Sequence, residues 1–189
     1  MRTFTAQSAR HKKLKTTEII ISGLGGQGVV LAGQILGKAV VYDGKNAVQT
    51  QSYGAEARGS AAKSEVIISE GKTGFPVVRK CDILVAMSQQ ALDRHISDLR
   101  EDGFLIVDST YVTNIPEKKA RILRIPATEN SEKEFGAKTY ANMFVLGALT
   151  KITGIVASNA MRRAIEDTVP QKYVRVNQQA YEKGAELVQ

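Results

Sequence analysis

Cysteine is all but missing from this chain: Cys81 is the only one in 189 residues, and histidine occurs twice. A lone thiol excludes an internal disulfide, a cysteine-based zinc cluster and a four-cysteine iron–sulfur site within the chain. So little thiol and imidazole leaves little material for a thiol triad or a zinc site. No local motif marks a serine triad or a carboxylate pair, so neither a catalytic residue nor a metal ligand is assigned. Within CDILVAM, Cys81 reads as a small buried strand residue. His95, in ALDRHISDL, reads as part of a solvated helix surface. No apolar run approaches the roughly 18 residues of a membrane span. The expectation is a cytoplasmic protein without a membrane partner.

Acidic residues are missing from one stretch. Residues 1–17 hold Arg2, Arg10, Lys12, Lys13 and Lys15 and no acid, which accounts for most of the net charge of +7. The body of the chain is close to neutral, which argues against a nucleic-acid binder. The basic stretch reads as a solvated, disordered arm. It lacks the apolar core of a secretory signal, and a transit peptide or an extended start fits it as well.

Repeats, linkers and low-complexity blocks are absent too, so residues 18–189 are read as one domain. An apolar fraction of 43% suits a single packed core. Periodicity predicts strands at 18–22, 47–50, 64–69, 82–87, 104–108 and 120–127 and a helix over 27–43. A second helix is capped by Ser88, reaches about Leu99 and is closed by Asp102-Gly103. Gly74-Phe75-Pro76 is a break. The remainder is helical: 138–152 with an apolar stripe, a helix capped by Ser158 that stops before Pro170, and 176–188. The alternation implies an α/β fold, a Rossmann-like single domain. Its sheet is mostly parallel, with helices on both faces and a helical C-terminal part.

What is plentiful is glycine, concentrated in two loops. The first, GLGGQG, places Gly23, Gly25 and Gly28 in the G-x-G-x-x-G pattern, with Gly26 extra and Gln27 supplying a side-chain donor. A strand, a glycine-rich turn and a helix aim backbone N–H groups and a positive helix end at an anion. A dinucleotide site also needs an acid about 20 residues on, at the end of the second strand, to hold the ribose. Asp43 has the distance but lies in the turn before that strand, which ends in Gln49-Thr50-Gln51. Gly23, Gly25, Gly26, Gln27 and Gly28 are therefore a candidate anion loop without the nicotinamide determinant. Tight helix–sheet packing is the other reading. A branched side chain at Gly25 is expected to strain the turn.

The second loop, QSYGAEARGS, sets Ser52, Tyr53, Gly54, Glu56, Arg58 and Gly59 among small residues. Such a loop suits close approach by another chain, with tyrosine and arginine as anchors. A solvated connection is the alternative.

Together these residues are recognisable. GLGGQGVVLAGQILGKA, then YDGKNAVQTQSYGAEARGSAAKSEVIIS, then CDILVAMSQQALD resemble the gamma subunit of the 2-oxoacid:ferredoxin oxidoreductases. The resemblance covers residues 18–189, through SNAMRRAI and NQQAYEKGAEL, and leaves out the basic arm. SYGAEARG tilts it from the pyruvate type to the 2-oxoglutarate type. Ser60 departs from the pattern, where a second glycine is common.

The resemblance implies a subunit, inactive alone, with no cofactor of its own. It implies alpha and beta partners carrying thiamine diphosphate, magnesium and iron–sulfur clusters, with a ferredoxin-like delta subunit where one exists. Ferredoxin takes the electrons and coenzyme A the acyl group. The gamma subunit packs on the others at the coenzyme A side, which makes GLGGQG a candidate coenzyme A loop. A homodimer of the isolated chain is a further expectation. The competing class is a free-standing Rossmann-type dehydrogenase.

Overall fold

The computed structural model describes residues 16–54, 60–71 and 77–188. Ile19-Ile20-Ile21 forms the centre of β1 (Thr16–Leu24). Ile19 and Ile21 enter one apolar cluster and Ile20 the other. An unbroken apolar run means burial on both faces of a sheet. After β1 come α1 (Val29–Tyr42), β2 (Asn46–Tyr53), β3 (Ala61–Ser69), β4 (Cys81–Ala86), α2 (Gln89–His95), β5 (Leu99–Asp108) and β6 (Arg121–Ile125). Then follow α3 (Ala127–Phe135), α4 (Ala141–Thr153), α5 (Ser158–Glu166) and α6 (Val174–Glu186).

The strands lie in the order β2-β3-β1-β4-β5-β6. β1, β4, β5 and β6 are parallel, while β3 runs antiparallel to both of its neighbours, β1 and β2. The expected α/β class with a mostly parallel sheet is therefore observed. β2 keeps the direction of β1 but stands one strand away from it. α1, α4, α5 and α6 cover one face, and α2 contributes Ala91 and Leu92 to the other.

α4 is where the sequence reading falls short of the packing. A stripe was expected, but every residue from Ala141 to Thr150 is buried, as in a helix at the centre of a core. Gly147 and Gly184 permit this. A Cβ on Gly147 would overlap the Tyr181 carbonyl, and one on Gly184 the Phe144 carbonyl. α4 and α6 thus cross backbone to backbone, which sets the start of α4 against the start of α1.

Other expectations need correction. His95 is buried, with Nδ1 3.0 Å from Asp98 Oδ2, because α2 ends there against the sheet. Asp102-Gly103 lies inside β5 and terminates nothing. α3 follows directly on Pro126, where an extended segment was expected. Ser158 opens α5 without capping it, and Asn159 Oδ1 accepts the Ala160 N–H instead. β1 takes up Thr16 and Thr17. Residues 1–15 of the basic arm and Gly74-Phe75-Pro76 lie outside the described residues.

Candidate functional site

The parallel strands β1 and β4 are neighbours, but the chain leaves their C-terminal ends toward opposite faces, through α1 and α2. Such a switch point leaves the crevice in which α/β folds bind ligands. Here the crevice is filled from within. The Gln27 carboxamide lies across it: Leu24 N–H donates to its Oε1 at 2.7 Å, and its Nε2 donates to the Met87 carbonyl at 2.8 Å. Gly23 makes room, since a Cβ there would come within 2.6 Å of Gln27 Oε1.

Each remaining glycine has its own reason. The Gly25 N–H donates to the Ser60 carbonyl at 2.8 Å. Its φ is not left-handed, and a Cβ would meet Ser60 no closer than 3.6 Å. The expected strain at Gly25 is therefore absent; it belongs to Gly26 and Gly28, with φ of 93° and 70°. Gly28 is the N-cap of α1, and its carbonyl accepts from Ala32 N–H and from Asn142 Nδ2 at 3.2 Å. A Cβ at Gly28 would overlap that nitrogen and lie 2.8 Å from Asn142 Cγ. Asn142 Oδ1 is buried without a hydrogen-bond partner among the described residues. The N–H groups of Leu24, Gly25 and Gln27 are thus bonded within the chain. Those of Gly26, Gly28 and Val29 have no acceptor among the described residues. They sit at the positive end of a helix.

The two loops singled out by sequence therefore meet. β2 and β3 form a hairpin, with Gly54 N–H donating to the Ala61 carbonyl at 2.7 Å at its end, and Ser60 joins that end to the glycine loop through Gly25. Because Ser60 contributes its backbone carbonyl, the departure from glycine leaves the joint intact. Tyr53 is 62% exposed beside it, and Ser52 and Gly54 are exposed as well. Glu56, Arg58 and Gly59 lie outside the described residues.

The topology also removes the ribose determinant in a second way. With β3 between them, the end of β2 does not adjoin the β1 loop as it would in a dinucleotide fold. Asp43 is at the far end of α1, where it pairs with Lys45 and accepts from Ala157 N–H. Lys45 holds its carboxyl below the usual range.

Two buried carboxylates escaped the sequence reading. Asp108, fully buried at the end of β5, accepts from Thr110 N–H at 3.1 Å and from Thr128 N–H and hydroxyl, tying β5 to the start of α3. Its only signal is an acid closing the apolar run FLIV. Glu65 accepts from Thr50 Oγ1 at 2.9 Å across the hairpin and from Lys63 Nζ at 2.5 Å along its own strand. Cys81 is buried as expected, and burial pushes its thiol up to about 12, so it is no nucleophile. Among the described residues no group of three or more His, Cys, Asp or Glu is placed to hold a metal ion. No helix among them is long and apolar enough to cross a membrane. A cavity of about 460 Å³ opens at the opposite end of the sheet, between Lys45, Asp82, Asp102 and Arg121. It is remote from the loops.

Residues 18–187 match the sequence profile of the pyruvate ferredoxin/flavodoxin oxidoreductase family. Over 173 residues the chain is 48% identical to the 2-oxoglutarate synthase subunit KorC of Methanocaldococcus jannaschii, a match spanning 90% of this chain and 92% of that one. It resembles the crystal structure of the gamma subunit of a keto/oxoacid ferredoxin oxidoreductase from Geobacter sulfurreducens, with a TM-score of 0.80 and 43% identity over 90% and 96% of the two chains. For the pyruvate oxidoreductase subunit PORC of Thermotoga maritima the TM-score is 0.76 and the identity 28%, over 93% and 98%.

Proposed function

The chain belongs to the pyruvate ferredoxin/flavodoxin oxidoreductase family as a gamma-type subunit of a 2-oxoacid:ferredoxin oxidoreductase, and we propose that its complex oxidises 2-oxoglutarate, with this chain on the coenzyme A side. The preference for 2-oxoglutarate follows the relatives: 48% identity to a 2-oxoglutarate synthase subunit against 28% to a pyruvate oxidoreductase subunit. The partners are alpha and beta subunits, which hold thiamine diphosphate, magnesium and iron–sulfur clusters, and a ferredoxin-like delta subunit where the complex has one. The chemistry proceeds on those chains: decarboxylation, electron transfer toward ferredoxin, and acyl transfer to coenzyme A.

One observation supports this role most: the Gly25–Ser60 hydrogen bond joins the glycine loop to the end of the β2–β3 hairpin at Ser60. The result is one exposed face of small residues and tyrosine. Such a face suits a partner subunit, and the N–H groups of Gly26, Gly28 and Val29 at the head of α1, without an acceptor among the described residues, suit a diphosphate held at its margin. A free-standing dehydrogenase is disfavoured, because Gln27 occupies the crevice a dinucleotide would need and no ribose acid adjoins it among the described residues.

The test is turnover of 2-oxoglutarate with coenzyme A and a viologen acceptor. The purified chain alone is expected to be inactive, and activity is expected on reconstitution with its co-purifying subunits. Turnover by the chain alone, or NADH binding to it, would overturn the subunit reading. A complex active on pyruvate and not on 2-oxoglutarate would overturn only the substrate.

A further inference from the structure

The sheet has two edges, and they are built differently. β6 is five residues long, carries Arg121 and Arg124, and runs into Pro126. Charge, brevity and proline are the usual protections of an edge. β2 has none of them. It is eight residues, NAVQTQSY, uncharged, and in register with β3 along its whole length without a bulge. Among the described residues nothing pairs with its outer side.

α1 lies along the same edge. A Cβ on Gly33 would overlap the Ser64 hydroxyl of β3, and one on Gly37 would sit 3.7 Å from Gln49 of β2, so the helix straddles the last two strands. Beside it runs a groove of about 440 Å³ lined by Gln34, Gly37, Lys38, Val41 and Ala47. Val41 is 57% exposed there.

We propose that β2 pairs antiparallel with β2 of a second copy of this chain, about a two-fold axis normal to the sheet, so that the two α1 helices pack side by side. The proposal rests on the sheet edge and is independent of the oxidoreductase reading. Residues directly opposite in an antiparallel pair share a face of the sheet. The two-fold keeps α1 on the same face in both copies, so the axis passes beside one residue, such as Gln49 or Thr50. With no charge anywhere on β2, every such register is free of like-charge contacts.

The spacing also selects a second copy over a lone strand. Strands are about 4.8 Å apart, so a helix above β2 and β3 meets its copy across the axis at roughly 10 Å, the distance of packed helices. A strand from another polypeptide would satisfy the edge and leave Val41 and the groove uncovered. A second copy brings its own α1. Lys38, the one charged residue of the lining, is already directed away, with Nζ donating to the Asp167 carbonyl at 2.9 Å.

Sedimentation equilibrium of the full chain over a concentration series should give a dimer. Val41→Lys and Gln51→Lys change exposed residues and should leave the circular dichroism melt of the monomer in place. Each should raise the dimer dissociation constant about ten-fold or more, because a charge enters each side of the joint. Val48→Cys, Gln49→Cys and Thr50→Cys, made singly, locate the axis: the residue beside it forms an intersubunit disulfide. Buried Cys81 does not compete. A monomer at every concentration would overturn the proposal. So would a dimer indifferent to both lysines and cross-linked by none of the three cysteines.

Discussion

Three glycines of one turn, changed one at a time to alanine, should respond in a fixed order. Gly25 has no left-handed φ, and a methyl there meets Ser60 at an ordinary 3.6 Å. Gly25→Ala should therefore lie within about 0.5 kcal/mol of the wild type, since the loss of unfolded-state freedom offsets small contacts. Gly26 has φ 93° in open space, and the left-handed penalty alone predicts about 1–2 kcal/mol for Gly26→Ala. Gly28 carries that penalty and a collision with the Asn142 carboxamide. Displacing the amide also breaks its bond to the Gly28 carbonyl, so Gly28→Ala should cost about 3–5 kcal/mol, or roughly 10 °C in melting temperature. The assay is urea unfolding of the isolated chain, followed by circular dichroism at one protein concentration. Asn142→Ala removes the colliding atoms and leaves only its Cβ, 3.3 Å from the new methyl. In that background Gly28→Ala should fall back to about 1–2 kcal/mol. Equal costs at all three glycines, or an unchanged cost of Gly28→Ala beside Asn142→Ala, would refute the geometry. The order has a functional use: Gly25→Ala keeps the fold, so any effect on the KM for coenzyme A in the complex reports on the exposed loop surface.

Gln27→Leu leaves the Leu24 N–H and the Met87 carbonyl without their partner. It should cost about 1–3 kcal/mol in the same unfolding assay, and no loss would mean the carboxamide does not bridge the crevice. Tyr53→Ala and Arg58→Ala should each weaken assembly with the partner subunits by roughly 1–3 kcal/mol while the free chain melts as before. An equal melting loss in the free chain with normal assembly would make that loop merely structural. The thiol of Cys81, raised by burial, stays protonated through mildly alkaline pH. Iodoacetamide at pH 8 should label it only after denaturant is added, and fast labelling of the folded chain would contradict the burial.

Much of the fold was legible because burial on a sheet leaves local marks. Ile19-Ile20-Ile21, Val66-Ile67-Ile68 and Leu105-Ile106-Val107 are short runs apolar on consecutive residues, as a strand covered on both sides requires. What stayed hidden is set between distant segments. The insertion of β3 between β1 and β2 is a choice of pairing partner, and the alternation in either strand is the same for both choices. The burial of His95 depends on where α2 ends against the sheet, not on its charged neighbours in sequence. α3 was missed because its composition, ATENSEKEF, is polar, and its start is fixed by a carboxylate about 20 residues upstream, Asp108.

The glycine loop divides the same way. Its turn could be read from spacing, because left-handed backbone at Gly26 and Gly28 demands glycine whatever the turn is for. Its occupant could not, because G-x-G-x-x-G records where side chains are missing and not what fills the space. What fills the freed space is decided by Gln27, a residue the pattern leaves open, and by Asn142 and Ser60, which reach the loop from elsewhere in the chain. In a dinucleotide fold the missing side chains admit a diphosphate. Here the one at Gly23 admits a neighbouring carboxamide and the one at Gly28 the side chain of Asn142. The motif is therefore evidence of close approach, and the approaching group has to be identified from the residues around it.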